Sequence, residues 1–139
     1  MPERVFIIHG WDGSPYTDWY KWLASALKEK GFEASVPKMP EASRPSIDAW
    51  ISAISQSTKY IDEHTYFIGH SIGCQAILRF LQRAPSGRIK GMLLVAPWLH
   101  LKDAAIASDD DKAIARPWLE TPIDLAAIRS RVGSTRVIM

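Results

Sequence analysis

Thr65-Tyr66-Phe67-Ile68-Gly69-His70-Ser71-Ile72-Gly73-Cys74 is the stretch on which the fold turns. A β-branched and aromatic run meets a Gly-x-Ser-x-Gly pentapeptide, and the helical pattern Gln75-Ala76-Ile77-Leu78-Arg79-Phe80-Leu81 begins at once behind it. The order is strand, sharp turn, helix, with Ser71 at the apex. Lifting a serine clear of a sheet edge makes the backbone turn within one residue, which puts strained dihedrals at the serine. Gly69 and Gly73 are then needed, because strand and helix approach too closely there for side chains. The helix start aims unpaired N–H groups and the positive end of its dipole at the same spot, which favours negative charge developing there. A carbonyl under attack develops such a charge.

Outward from this turn, apolar strands alternate with helical patterns. Arg4-Val5-Phe6-Ile7-Ile8 shows no polar alternation, which fits a strand buried on both faces of a parallel sheet. The loop His9-Gly10-Trp11-Asp12-Gly13-Ser14-Pro15 follows. Residues 18–30 carry apolar side chains at 19, 22, 23, 26 and 27, the spacing of an amphipathic helix, which Gly31 closes. Residues 32–36 form a second strand and 37–45 a loop. Ser46 or Asp48 caps a helix running to Tyr60, with Trp50, Ile51 and Ile54 on one face. Behind the elbow helix, residues 90–96 form a fourth strand ended by Pro97. Residues 97–120, rich in Asp and Trp, are expected to be irregular, a long loop or small cap. Thr121-Pro122-Ile123-Asp124 opens a last helix with proline in its first turn, and residues 135–139 form a fifth strand. The alternation predicts an α/β protein, a three-layer αβα sandwich on a mainly parallel sheet with right-handed crossovers. Function then belongs at the carboxyl ends of the strands. The two ends with unusual chemistry, His9-Gly10-Trp11 and Ser71, become neighbours in a doubly wound sheet.

The 139 residues fit one domain. With 17 basic against 15 acidic residues and no block of like charge, nothing points to a nucleic-acid or membrane surface. Val5-Phe6-Ile7-Ile8 is too short for a signal-peptide core or a membrane span, so a cytoplasmic setting is the default. The single cysteine, Cys74, excludes an internal disulfide and a cysteine-rich zinc site. On the first helical turn behind the elbow it is expected to be a buried packing residue rather than a reactive thiol. No cofactor or metal is implied.

Ile7-Ile8-His9-Gly10-Trp11, Gly13-Ser14-Pro15, Asp18-Trp19-Tyr20, the elbow Gly69 to Cys74, Leu94-Val95-Ala96-Pro97 and Thr121-Pro122-Ile123-Asp124 together resemble the retinoblastoma-binding protein 9 and YdeN-like serine hydrolases. These form a small α/β-hydrolase family, and the resemblance runs over nearly the whole chain. It implies acyl transfer to water, with small carboxylic esters or amides as substrates. Ser71 matches the nucleophile, and the backbone N–H of Ile72, with one from the loop at Trp11 or Asp12, matches the oxyanion hole. Proteins of this type continue past the fifth strand into loops bearing the triad aspartate and histidine. The sequence stops at Met139, so the expectation is either a hydrolase domain truncated after its fifth strand and at best weakly active on its own, or one whose acid and histidine loops lie beyond residue 139. An open edge at 135–139 suggests a homodimer.

Four histidines exist. His9 belongs to the oxyanion loop, where hydrogen bonding to loop backbone competes with proton transfer. His70 stands beside the nucleophile, although an elbow neighbour usually points away from the serine. His64 precedes its strand at the amino end, the wrong side for chemistry. His100 follows the fourth strand on the active edge and is the one stand-in base. Asp103, Asp109, Asp110 and Asp111 offer acids in that region, or simply a solvated run. Trp11, Tyr16, Trp98 and Trp118 fall in loops at the active edge and could line an acyl site, whereas Trp19, Trp22 and Trp50 fall on helix faces as core. The substrate-pocket candidates are His9, Gly10, His70, Trp98 and His100. Two other classes stay open. A non-catalytic protein-binding module is one, though no Leu-x-Cys-x-Glu segment occurs. A flavodoxin-like phosphate binder is the other, though the first loop lacks Gly-x-Gly-x-x-Gly and the Ser71 turn lacks a lysine.

Overall fold

Along the chain the order is β1 (Arg4–Ile8), α1 (Tyr20–Glu29), β2 (Glu33–Ser35), α2 (Ile47–Thr58), β3 (Thr65–His70), α3 (Ile72–Arg83), β4 (Ile89–Val95), α4 (Asp109–Glu120), α5 (Leu125–Arg129) and β5 (Val132–Ile138). The computed structural model describes residues 2–99 and 108–139, so the expectations attached to His100 and Asp103 lie outside the described residues.

The strands form one sheet in the order β2-β1-β3-β4-β5, every neighbouring pair parallel. In β1 alternate side chains enter the two faces: Val5 and Ile7 join α1 on one side, Phe6 and Ile8 join α2 and α3 on the other. A run without polar alternation therefore makes a strand buried on both faces. Helices α4 and α5 share the second face, where Trp118 and Ile128 pack into the same core as Trp50, Phe67, Ile77 and Leu81. The result is the three-layer αβα sandwich with α1 on one face and α2, α3, α4 and α5 on the other. β1 and β3 are adjacent, with Ile8 opposite Gly69. Their carboxyl ends release His9-Gly10-Trp11 and Ser71 side by side.

The structure departs from the sequence expectations at several points. Within residues 97–120, α4 is regular. Ser108 is its N-cap, accepting from the Asp111 N–H at 3.1 Å, and Asp109, Asp110 and Asp111 fill the first turn, where carboxylates meet the positive end of the helix dipole. Trp118 is therefore on a helix and 1% exposed, not in a loop at the active edge. Its indole N–H donates to the Pro45 carbonyl at 3.0 Å and its ring meets Trp50 edge-on. The last helix begins later than expected: Asp124 caps it, accepting from the Ala127 N–H at 3.1 Å, so Pro122 lies before it. β5 starts at Val132 rather than Thr135, and β2 is confined to three residues. Trp22 is 73% exposed rather than core, because α1 turns Tyr20, Leu23, Ala24 and Leu27 to the sheet.

Candidate active site

Backbone strain gathers at the carboxyl edge of the sheet. Asp12 after β1 (φ 60°), Ser71 after β3 (φ 55°) and Ala96 after β4 (φ 46°) all adopt left-handed φ values that non-glycine residues avoid. Ser71, with ψ −123°, is held there by its neighbours. Its N–H donates to the Val95 carbonyl at 3.0 Å, and its own carbonyl accepts from the N–H groups of Cys74 and Trp98, each at 3.1 Å. The flanking glycines are required by contact. A Cβ on Gly73 would lie 2.4 Å from the Ile8 carbonyl oxygen, and one on Gly69 would lie 2.9 Å from the Cys74 backbone.

The loop after β1 is pinned against this turn. The Gly10 carbonyl accepts from the Gly13 N–H at 3.0 Å and from His9 Nδ1 at 3.0 Å. His9 is wholly buried, and the Met39 N–H donates to its Nε2 at 3.0 Å, which puts the ring proton on Nδ1. Burial also holds its pKa below the usual histidine range, so the ring is neutral. The Gly10 carbonyl and the Trp11 N–H belong to one planar peptide, so fixing the carbonyl aims that N–H the opposite way. A Cβ on Gly10 would stand 3.4 Å from Ser71 Cβ, a measure of how closely loop and elbow approach. Among the described residues neither the Trp11 N–H nor the Ile72 N–H has an acceptor, the latter because first-turn donors of a helix lack intrahelical partners.

The remaining site candidates separate. His9 is enclosed in the core, engaged at both ring nitrogens, rather than open to a pocket. His70 is half-buried, its Nδ1 2.7 Å from the Tyr20 hydroxyl. His64 is at the amino edge, 3.3 Å from Glu3. Trp11 is half-buried and its indole N–H donates to the Ser43 carbonyl at 3.0 Å. Trp98 is 8% exposed, and Tyr16 is 79% exposed. Cys74 is the packing residue expected: it is fully buried, and burial pushes its thiol up to about 12. Asp109 and Asp110 are solvated, Asp110 pairing with Arg44.

Three contributors escape the sequence. Tyr20 reaches both Gly10 and His70. Gln75 donates to the Trp98 carbonyl at 3.1 Å and accepts from Arg79 Nε at 2.7 Å, while Arg79 Nη2 donates to the carbonyls of Trp118 and Thr121 at 2.9 and 2.7 Å. This buried relay ties the turn after β4 to the end of α4. The polar pair at i and i+4 within the otherwise apolar stretch Ile72 to Leu81 was the available signal. Chemically, a hydroxyl on a strained apex beside two N–H groups without acceptors among the described residues is suited to attack on a carbonyl whose oxygen becomes negative.

Residues 5–105 match the family model described as serine hydrolase. Over 97 residues the chain is 35% identical to YdeN of Bacillus subtilis (strain 168), covering 69% of this chain and 51% of that protein. It is 24% identical over 123 residues to the serine hydrolase RBBP9 of Rattus norvegicus, covering 84% of this chain and 62% of the relative. The crystal structure of the ydeN gene product superposes with a TM-score of 0.85 at 26% identity, over 97% of this chain and 69% of that one. The sequence match thus spans about half the length of YdeN.

Proposed function

The chain belongs to the serine hydrolase family and has an α/β-hydrolase fold, and on that premise we propose that it carries the nucleophile and oxyanion hole of an enzyme hydrolysing small carboxylic esters or amides. Ser71 Oγ adds to the substrate carbonyl carbon, its proton passes to a base, and the carbonyl π electrons move onto oxygen. The N–H groups of Trp11 and Ile72 receive that oxyanion. Each such donor is worth about 3 kcal/mol of barrier. Collapse restores the carbonyl and expels the alcohol or amine, which takes up a proton. Water then repeats the sequence on the acyl-serine and releases the acid. The observation that carries this reading is the left-handed Ser71 next to two N–H groups without acceptors among the described residues.

Gly10, His70, Trp11 and Trp98 border the apex and form the substrate site in this reading; His9 stands behind it. His9 is engaged at both ring nitrogens, His70 Nδ1 lies against the Tyr20 hydroxyl and His64 is at the far edge; in this reading the proton acceptor is the histidine that the resemblance places after the fifth strand, with His100 as the stand-in. No helix among the described residues is long and apolar enough to cross a membrane, and the proposed setting is the cytoplasm. A homodimer through β5 is also part of the proposal; a monomer mass in light scattering would remove that part.

Intact mass after incubation with a fluorophosphonate tests the reading, since phosphorus bonds to Oγ as fluoride leaves. One adduct is expected on the wild type and none on Ser71→Ala. A folded full-length protein that takes no label would overturn it, and binding of a protein partner on a hydrolase fold would become the function to pursue.

A further inference from the structure

Tyr20 touches both halves of the site from behind. The β1–β3 ladder ends at Ile8 opposite Gly69, so beyond that pair no strand register holds the two chain ends at a set separation. Tyr20, the first residue of α1 and 1% exposed, spans them. The Gly10 N–H donates to its hydroxyl oxygen at 3.3 Å, and the hydroxyl stands 2.7 Å from His70 Nδ1, within hydrogen-bond distance. Gly10 immediately precedes Trp11, and His70 immediately precedes Ser71.

Packing alone would be served by phenylalanine at this position, and a buried hydroxyl costs free energy unless bonded. Burial pushes the phenol up to about 12, so its proton is in place throughout an ordinary assay range. The ring is fixed as well, with Trp19 edge-on at 4.8 Å and the His70 ring at 5.7 Å. His9 and Gly13 hold the Gly10 carbonyl while Tyr20 holds the Gly10 N–H, so two successive peptides of the loop are constrained.

We propose that Tyr20 is a positioning residue for hydrolysis: its hydroxyl bonds the oxyanion loop to the elbow and so sets the separation between the Trp11 N–H and Ser71. The proposal rests on the roles given to Ser71 and Trp11 above. An oxyanion contact is made in the transition state rather than with bound substrate, so its loosening acts on kcat and not on KM.

The test is Tyr20→Phe in the full chain, which keeps the ring, beside wild type and Ser71→Ala. Steady-state hydrolysis of 4-nitrophenyl acetate, the rate of fluorophosphonate labelling and thermal unfolding are measured on all three. For Tyr20→Phe, kcat and labelling rate fall about tenfold, the scale of one net hydrogen bond, while KM stays within about twofold. A purely structural tyrosine would lower the melting temperature and leave kcat of the folded protein alone. Rates within about twofold of wild type, or a loss confined to KM, while Ser71→Ala abolishes turnover and labelling, would overturn this proposal and leave the serine reading standing. If Ser71→Ala keeps turnover and labelling, the serine reading fails and this proposal falls with it.

Discussion

Replacing Ser71 by glycine should make the protein more stable than replacing it by alanine, the reverse of the usual order. Both substitutions remove Oγ, and neither touches the backbone bonds to Val95, Cys74 and Trp98, so those contributions cancel. What differs is the backbone. At φ 55° and ψ −123° a side chain with a Cβ is strained, by about 1–3 kcal/mol at sites of this kind. Glycine escapes that strain but gives up about 0.5–1 kcal/mol more conformational freedom on folding. Taking the middle of each range, Ser71→Gly exceeds Ser71→Ala by about 1 kcal/mol. For a chain of 139 residues, that is a rise in Tm of about 3–4 °C. Scanning calorimetry on the two variants, with urea unfolding to check that m is unchanged, reads the difference directly. An alanine variant as stable as the glycine variant, or more so, would refute the claim that the elbow stores strain.

Two further outcomes concern titratable groups in the core. His9 is buried neutral with a depressed pKa, so the unfolded chain binds its proton more readily: this part of the stability is complete above about 6.5 and is lost as pH falls from there toward the folded value, by at most about 1.4 kcal/mol per pH unit. Urea midpoints at acid and neutral pH should therefore converge in His9→Asn relative to wild type, and an unchanged pH dependence would refute this. Cys74, fully buried with its thiol pushed up to about 12, should resist iodoacetamide in the native protein at mildly alkaline pH and react on unfolding in urea. Mass spectrometry counts the adduct, and rapid native alkylation would contradict the packing described.

How far the sequence could be read depended on whether a feature was local. The elbow was legible because a one-residue turn between strand and helix leaves few residue types able to occupy its flanks, and both glycines do meet backbone where a Cβ would sit. β1 was legible because Val5 to Ile8 form an unbroken apolar run, too short for a helix and suited to a strand buried on both faces. α4 was not. Its aspartates look like a solvated loop until a helix dipole is placed behind them, and Pro117 argues against a helix. What fixes it is remote: Trp118 seated on Trp50 and bonded to Pro45, and Arg79 on its closing carbonyls. Trp22 failed for a related reason, since spacing finds an amphipathic helix but not which edge of the apolar stripe meets the sheet. The Tyr20–His70 contact joins residues 50 apart in the chain, and no local pattern announces it.

The backbone of Ser71 is bonded on both sides to the exit of β4: its N–H to Val95, its carbonyl to the Trp98 N–H. An amide at the tip of a turn would ordinarily be expected to trade its hydrogen with solvent within moments. Here the deuterium clock of that amide runs at the pace of β4. It can exchange only when the end of a neighbouring strand lets go, so it should be among the slowest in any loop of this protein. The residue best placed to react is thereby also a built-in reporter of whether the sheet edge beside it is intact.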